Sequence, residues 1–182
     1  IWDALIAAGV RPFGMFALDS LRIEKGYRAW KGDLSTDYSM LEGGLERFIR
    51  FDKSEDFPGK AALQNEKQQG SKKRFVTLIV DAGDQDAPYM STLWHKGEVV
   101  GETTSGAWGY RVNRSIALGM LRPDLASPGT EVEVDIYGDR RPAVVANGTA
   151  AAAVVSCRRN ERRWIRSNMA GQSPGVAMAT DN

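Results

Sequence analysis

The sequence predicts an α+β protein: an α/β piece, a polar joint, and a small antiparallel β-module, a barrel or a sandwich. Three observations carry this. Helix-type apolar spacing and glycine stops are confined to the first 70 residues. The joint "SKK" at 71–73 is polar. From Arg74 onward the chain breaks into short β-type runs punctuated by turns: "RFVTLIV", "STLWHKGEVVGETTS", "AWGYRVNRSIALGML", "TEVEVDIYG" and "RPAVVA".

In order, residues 1–9 space Leu5 and Ile6 from Trp2 as a helix does and stop at Gly9. A second helix is expected from Met15 to Lys25, with Phe16, Leu18, Leu21 and Ile23 as its apolar positions and Gly26 near its end. "LSTDYS" reads as loop. "LEGGLERFIRF" reads as a turn and a strand at 48–51. "DFPGKAALQNEKQQG" reads as a helix with Asp56 near its N-cap, Pro58 in the first turn and Gly70 closing it. Lys96-Gly97 is a hairpin signal. In "TEVEVDIY", Val132, Val134 and Ile136 alternate with Glu131, Glu133 and Asp135, the period of a strand with one buried face. Residues 148–182 are expected to form a disordered basic tail, apolar but featureless at first, then Arg-rich, then small and polar.

Composition excludes several classes. The chain has 182 residues, 42% of them hydrophobic, enough for one good core or two small ones. No apolar run approaches the ~20 residues of a membrane-spanning helix, and "IWDALIAAG" lacks the basic leader of a signal peptide. Residue 1 is not Met, so Ile1 is not expected to be the natural start. One cysteine, Cys157, excludes an internal disulfide and fits a reducing compartment; one His and one Cys cannot build a His/Cys zinc site. Of 24 basic and 23 acidic residues, five arginines and two acids lie in 151–182, leaving 19 basic and 21 acidic in positions 1–150. The body is mildly acidic, unlike a nucleic-acid binder with its basic patch on the folded domain.

Several stretches in order resemble the C-terminal part of the aminomethyltransferase family, which includes the glycine cleavage T-protein and the folate-binding region of dimethylglycine and sarcosine dehydrogenases. They are "WDALIAAG", "ALDSLRIEKGYRAWKGDLSTDYSMLEGGLERFIR", "DFPGKAAL", "VVGETTSGAWGY", "SIALGML" and "GTEVEVDIYG". "RIEKGYRAWKGDL" is more similar to the dehydrogenase branch. The resemblance implies the C-terminal part of a folate-binding α/β subdomain over 1–71 and a C-terminal β-barrel over 72–147. It implies transfer of a one-carbon unit from an N-methylated glycine derivative to tetrahydrofolate, with FAD held only by an upstream domain. The family's general-base aspartate and pterin-gripping glutamate lie upstream of the part matched here, and Leu18 stands where the T-protein has a folate-contacting arginine. No catalytic residue is therefore assigned in this chain, which alone is expected to be inactive.

The resemblance nominates Arg22, Glu24, Tyr27, Arg28 and Trp30 for the folate site, with Trp108 and Tyr110 as possible walls. The alternative is scaffold: Arg22 and Glu24 paired under the β-module, Tyr27 and Trp30 packing the joint, and "ETTSGAWGYRV" a strand-turn-strand whose Gly106 and Gly109 relieve backbone strain. His95 has no orienting carboxylate or nucleophile nominated beside it and reads as an exposed turn residue. Expected partners are folate, a small methylated amine and the N-terminal portion of the same polypeptide, with no nucleic acid and no membrane. The expected location is the cytoplasm, or the mitochondrial matrix of a eukaryote. The rival class is a non-catalytic interaction or regulatory module that keeps the fold without the chemistry.

Overall fold

A computed structural model describes residues 1–148. Helices α1 (Trp2–Ala7), α2 (Met15–Glu24) and α3 (Lys60–Gln69) precede six strands: β1 (Arg74–Val80), β2 (Thr92–His95), β3 (Glu98–Gly109), β4 (Arg114–Leu121), β5 (Glu131–Ile136) and β6 (Asp139–Val145). The strands close into an antiparallel barrel in the order β1-β4-β3-β2-β5-β6, with β6 returning to β1 through Leu78↔Val145 and Val80↔Ala143. The expected tail, beyond Gly148, lies outside the described residues.

Alternation explains the barrel interior. Val76, Leu78 and Val80 of β1, Val132, Val134 and Ile136 of β5, and Ala143 and Val145 of β6 point inward and form one apolar cluster with Leu93, Ala117 and Leu121. The strand β4, "RSIALGML", lacks this polar alternation because both its faces are covered. Ala117 and Leu121 face the barrel interior, while Ile116 and Leu118 pack with Ile23 of α2 on the outside. Half-buried Phe75, Ile79 and Ala107 extend that outer layer. The two tight hairpins put both central residues at positive φ: Lys96 (52°) and Gly97 (84°) between β2 and β3, Tyr137 (52°) and Gly138 (91°) between β5 and β6. This is the turn whose twist matches paired strands.

Two expected elements differ. Residues 48–51 form no strand; Glu46–Phe48 is a short 3-10 helix followed by turn. The barrel is closed, so it offers no edge for an extra strand. The third helix begins at Lys60, after Gly59 at φ 88°, rather than near Asp56. Pro58 disfavours helical backbone at Phe57, and Gly59 then turns the chain into the helix.

Candidate functional site

The polar centre of the molecule is Asp33, in the loop after α2. The whole residue is 0% exposed. Its Oδ2 accepts hydrogen bonds from Arg22 Nη1 at 2.5 Å and from the Ala29 backbone N–H at 2.7 Å. Its Oδ1 accepts from Thr104 Oγ1 at 2.5 Å and Ser105 Oγ at 2.8 Å. Arg22 completes its fork with Asp19 (Nε, 2.9 Å), Ser105 Oγ (Nη2, 2.8 Å) and the Tyr27 carbonyl (Nη1, 3.3 Å). Consecutive strand residues normally face opposite ways. Here the register between β3 and β4 shifts across Thr103–Ser105. That bulge brings two successive hydroxyls to one carboxylate oxygen.

Arg22 therefore pairs with Asp19 and Asp33 and not with Glu24, correcting the alternative pairing. Residues two apart on a helix point to different sides. Glu24, also buried, accepts the Arg111 backbone N–H at 2.7 Å and so holds the turn between β3 and β4, while Ser20 Oγ donates to the Trp108 carbonyl at 2.6 Å. Together they fasten α2 to the end of β3. Thr104 and Ser105 are spent on Asp33. Gly106 and Gly109 relieve no positive-φ strain. They admit close neighbours instead, the Ala87 carbonyl at Gly106 and the Ile116 and Val112 side chains at Gly109.

The aromatic candidates stand apart from this network. Tyr27 is 66% exposed, Trp30 70%, Trp108 36% and Tyr110 80%. Tyr27 and Trp30 thus leave most of their surface bare instead of packing the joint. Arg28 is half-buried, with its guanidinium 4.0 Å above the Phe75 ring. Its pKa lies below the ordinary arginine value because burial penalises the charge, with Asp33 pulling the other way. His95, the half-buried last residue of β2 rather than an exposed turn residue, has Nδ1 2.9 Å from the Glu131 carbonyl of β5, and no carboxylate or nucleophile is hydrogen-bonded to its ring among the described residues. Among the described residues no group of three His, Cys, Asp or Glu could hold a metal ion, and no helix is long and apolar enough to cross a membrane.

A second polar link ties the loop around residue 38 to β3. Glu102 Oε1 accepts from Lys73 Nζ at 2.8 Å and from the Tyr38 hydroxyl at 3.0 Å. The lysine bond holds the Glu102 carboxyl below the usual range, helped by Tyr38 and opposed by partial burial. Burial, then the bond to Glu102, raises the Tyr38 phenol. The stability from Glu102 is full above the unfolded value of about 4.3 and is lost as pH falls through the depressed folded value. That from Tyr38 is full below about pH 10 and is lost as pH rises through the raised folded value. Glu102→Gln should cost under about 1 kcal/mol at neutral pH, because the pair is largely solvent-screened, and the difference from the parent should vanish below about pH 4. Tyr38→Phe should flatten the alkaline limb alone. Thermal unfolding across pH checks both; a Glu102→Gln deficit that persists in acid would assign it to packing.

Comparison with known proteins gives the family. Residues 73–149 match the glycine cleavage T-protein C-terminal barrel domain, and residues 1–53 match the GCVT N-terminal domain. The chain belongs to the aminomethyltransferase family. Within the family it is 41% identical over 137 residues to mitochondrial dimethylglycine dehydrogenase of Mus musculus, covering 75% of this chain and 16% of that protein. It is 33% identical over 146 residues to an aminomethyltransferase of Prochlorococcus marinus (strain NATL1A), covering 80% of this chain and 39% of the relative. The crystal structure of the glycine cleavage system aminomethyltransferase T from Bartonella henselae superposes with a TM-score of 0.72 at 25% identity, over 79% of this chain and 40% of that one. The chain thus spans well under half the length of these relatives.

The barrel and the order of elements agree with the family resemblance read from the sequence. Asp33 was missed there. Its stretch, "AWKGDLSTD", carries no periodicity that marks burial. The sequence offered Glu24 as the carboxylate partner of Arg22, so nothing in it pointed to Asp33.

Proposed function

We propose that the chain is the C-terminal portion of a tetrahydrofolate-dependent protein of the dimethylglycine or sarcosine dehydrogenase type, handling one-carbon units from N-methylated glycine derivatives. The observation that carries the reading is the set of aromatic residues, Tyr27, Trp30, Trp108 and Tyr110, left exposed on the elements that α2 and the Asp33 network fasten together. A pterin and a benzoyl ring need flat apolar walls fixed on a rigid frame, and these side chains supply them. Of the charged candidates, Arg22 and Glu24 serve as frame: the Arg22 guanidinium nitrogens and Glu24 Oε1 are engaged within the chain. The ring-edge carboxylate and the general base therefore belong to the upstream portion of the polypeptide, as does any FAD. Trp2 of α1, Phe13 between the helices, and Phe16 and Leu21 of α2 are exposed and apolar and offer that portion a surface. The domain division at 71–72 and 147–148, and a location in the cytoplasm or mitochondrial matrix, go with this reading.

The test is calorimetric titration of tetrahydrofolate into the full chain, with an assay for methylene-tetrahydrofolate formed from a formaldehyde-derived iminium donor. Losing one charged hydrogen-bond partner and one pocket wall should weaken binding roughly a hundredfold or more relative to an intact relative. Turnover should be absent, and Trp30→Ala should weaken binding further. Micromolar binding with turnover would overturn the division of labour. The rival reading, an interaction or regulatory module without the chemistry, is favoured by the internal engagement of Arg22, Glu24, Thr104 and Ser105. It requires that no folate binding appear even when the upstream portion of a dehydrogenase relative is added.

A further inference from the structure

The loop after α2 leaves a cavity of about 290 Å³ beside strands β1 and β6, lined by residues from both faces of β1. Phe75, Val76, Ala126, Pro128 and Val145 give it an apolar wall, and Arg28 and Thr77 are its polar side chains. Of the residues nominated for the folate site only Arg28 lines it; Tyr27, Trp30, Trp108 and Tyr110 do not, so the cavity is distinct from the aromatic surface assigned to folate.

Arg28 is the unusual member of this wall. Its Nη1 reaches the Gly26 carbonyl only at 3.4 Å and its Nη2 the Gly44 carbonyl at 3.5 Å, both at the limit of a hydrogen bond. Its Nε is buried and has no acceptor. No carboxylate forms an ion pair with it among the described residues. Arg22 shows what a satisfied guanidinium looks like in the same chain: two carboxylates, a hydroxyl and a carbonyl. The Phe75 ring under Arg28 compensates part of its lost hydration but accepts no in-plane hydrogen bond. A half-buried planar cation with weak acceptors, beside an apolar cavity, is complementary to a carboxylate carried on an apolar body.

We propose that this cavity binds a small organic carboxylate, its oxygens on the Arg28 guanidinium and its apolar part against Phe75, Val76 and Val145. Asp33 and Glu46 lie near enough to act on Arg28 electrostatically, and Arg47 opposes them; the two acids temper the affinity without occupying the cation.

Benzoate is the probe, and benzamide, of the same shape without the charge, is its control. Both are titrated into the full chain by calorimetry and by amide and aromatic NMR shifts. Benzoate should saturate with a Kd of about 1 mM or tighter, moving the signals of Phe75, Thr77 and Val145, and benzamide should bind at least about tenfold more weakly, a difference of ~1.4 kcal/mol. Arg28→Gln should lose at least that factor, and Arg28→Lys, which keeps the charge but not the fork, should fall between. Absence of saturable benzoate binding overturns the proposal, as does equal binding of benzamide, or benzoate binding unchanged in folded Arg28→Gln. If the Arg28 variants do not fold, the benzoate-to-benzamide ratio and the location of the shifts on the unaltered chain decide.

Discussion

Asp33→Ala is expected to cost about 3–5 kcal/mol of folding stability, the cost of breaking a buried, hydrogen-bonded charge pair from one side. The variant leaves the Arg22 guanidinium, two hydroxyls and the Ala29 N–H without their shared acceptor. Against a total of roughly 5–15 kcal/mol this is a large fraction, and it should lower the melting temperature by about 10 °C. Asp33→Asn should cost less, about 2 kcal/mol, because one oxygen still accepts from Thr104 and Ser105 while the new NH2 group turns a donor toward Arg22. Urea unfolding of both variants, with Arg22→Leu and the Asp33→Ala/Arg22→Leu double change, separates the pair from its surroundings. A loss below about 1 kcal/mol for Asp33→Ala would mean that the network is decoration on a frame held by apolar packing alone.

The second large effect is expected at Gly106. The chain between β1 and β2 crosses over β3 here. It is pinned by Thr103, whose Oγ1 donates to the Pro88 carbonyl at 2.6 Å and accepts the Ser91 N–H at 2.9 Å. A Cβ on Gly106 would lie 2.0 Å from the Ala87 carbonyl oxygen, a backbone atom that cannot rotate away. Gly106→Ala must push the crossing segment off the strand and should cost about 3 kcal/mol or more, at the upper end for overpacking. Gly14→Ala is the control: nothing lies within 4 Å of its Cβ, and the change should cost under about 1 kcal/mol. Limited proteolysis adds a readout of place, since cleavage should appear at residues 84–91 in Gly106→Ala and not in the control. Equal stability of the two variants would show that the crossing segment is free to move.

What was legible in the sequence follows from how local each feature is. The inward set Val132, Val134 and Ile136 is visible because a strand's period is written in neighbouring letters, and Lys96-Gly97 because a two-residue turn sorts its own residues. The stretch 48–51 has apolar letters enough for a strand, but whether a strand forms depends on an open edge elsewhere, and the closed barrel has none. Asp33 is hidden for a related reason. Its hydroxyl donors lie 71 and 72 residues away and converge only because of a register shift in β3. The site candidates divide in the same way. Aromatic type was readable, but the exposure of Tyr27 and Trp30 and the internal engagement of Arg22 and Glu24 depend on what the fold brings next to them.

The seam of the barrel has a consequence for the order in which it can form. It joins β1 to β6, the first strand to the last, through Leu78↔Val145, Ile79↔Val144 and Val80↔Ala143. Hairpins β2–β3, β3–β4 and β5–β6 are short-range and can form early, but ring closure waits for partners more than sixty positions apart and belongs among the slow, high-contact-order steps. Until it happens, β1 and β6 each present an unpaired backbone edge. A chain cut before β6 never passes that stage: it leaves β1 and β5 open together, and such paired open edges template association with other copies.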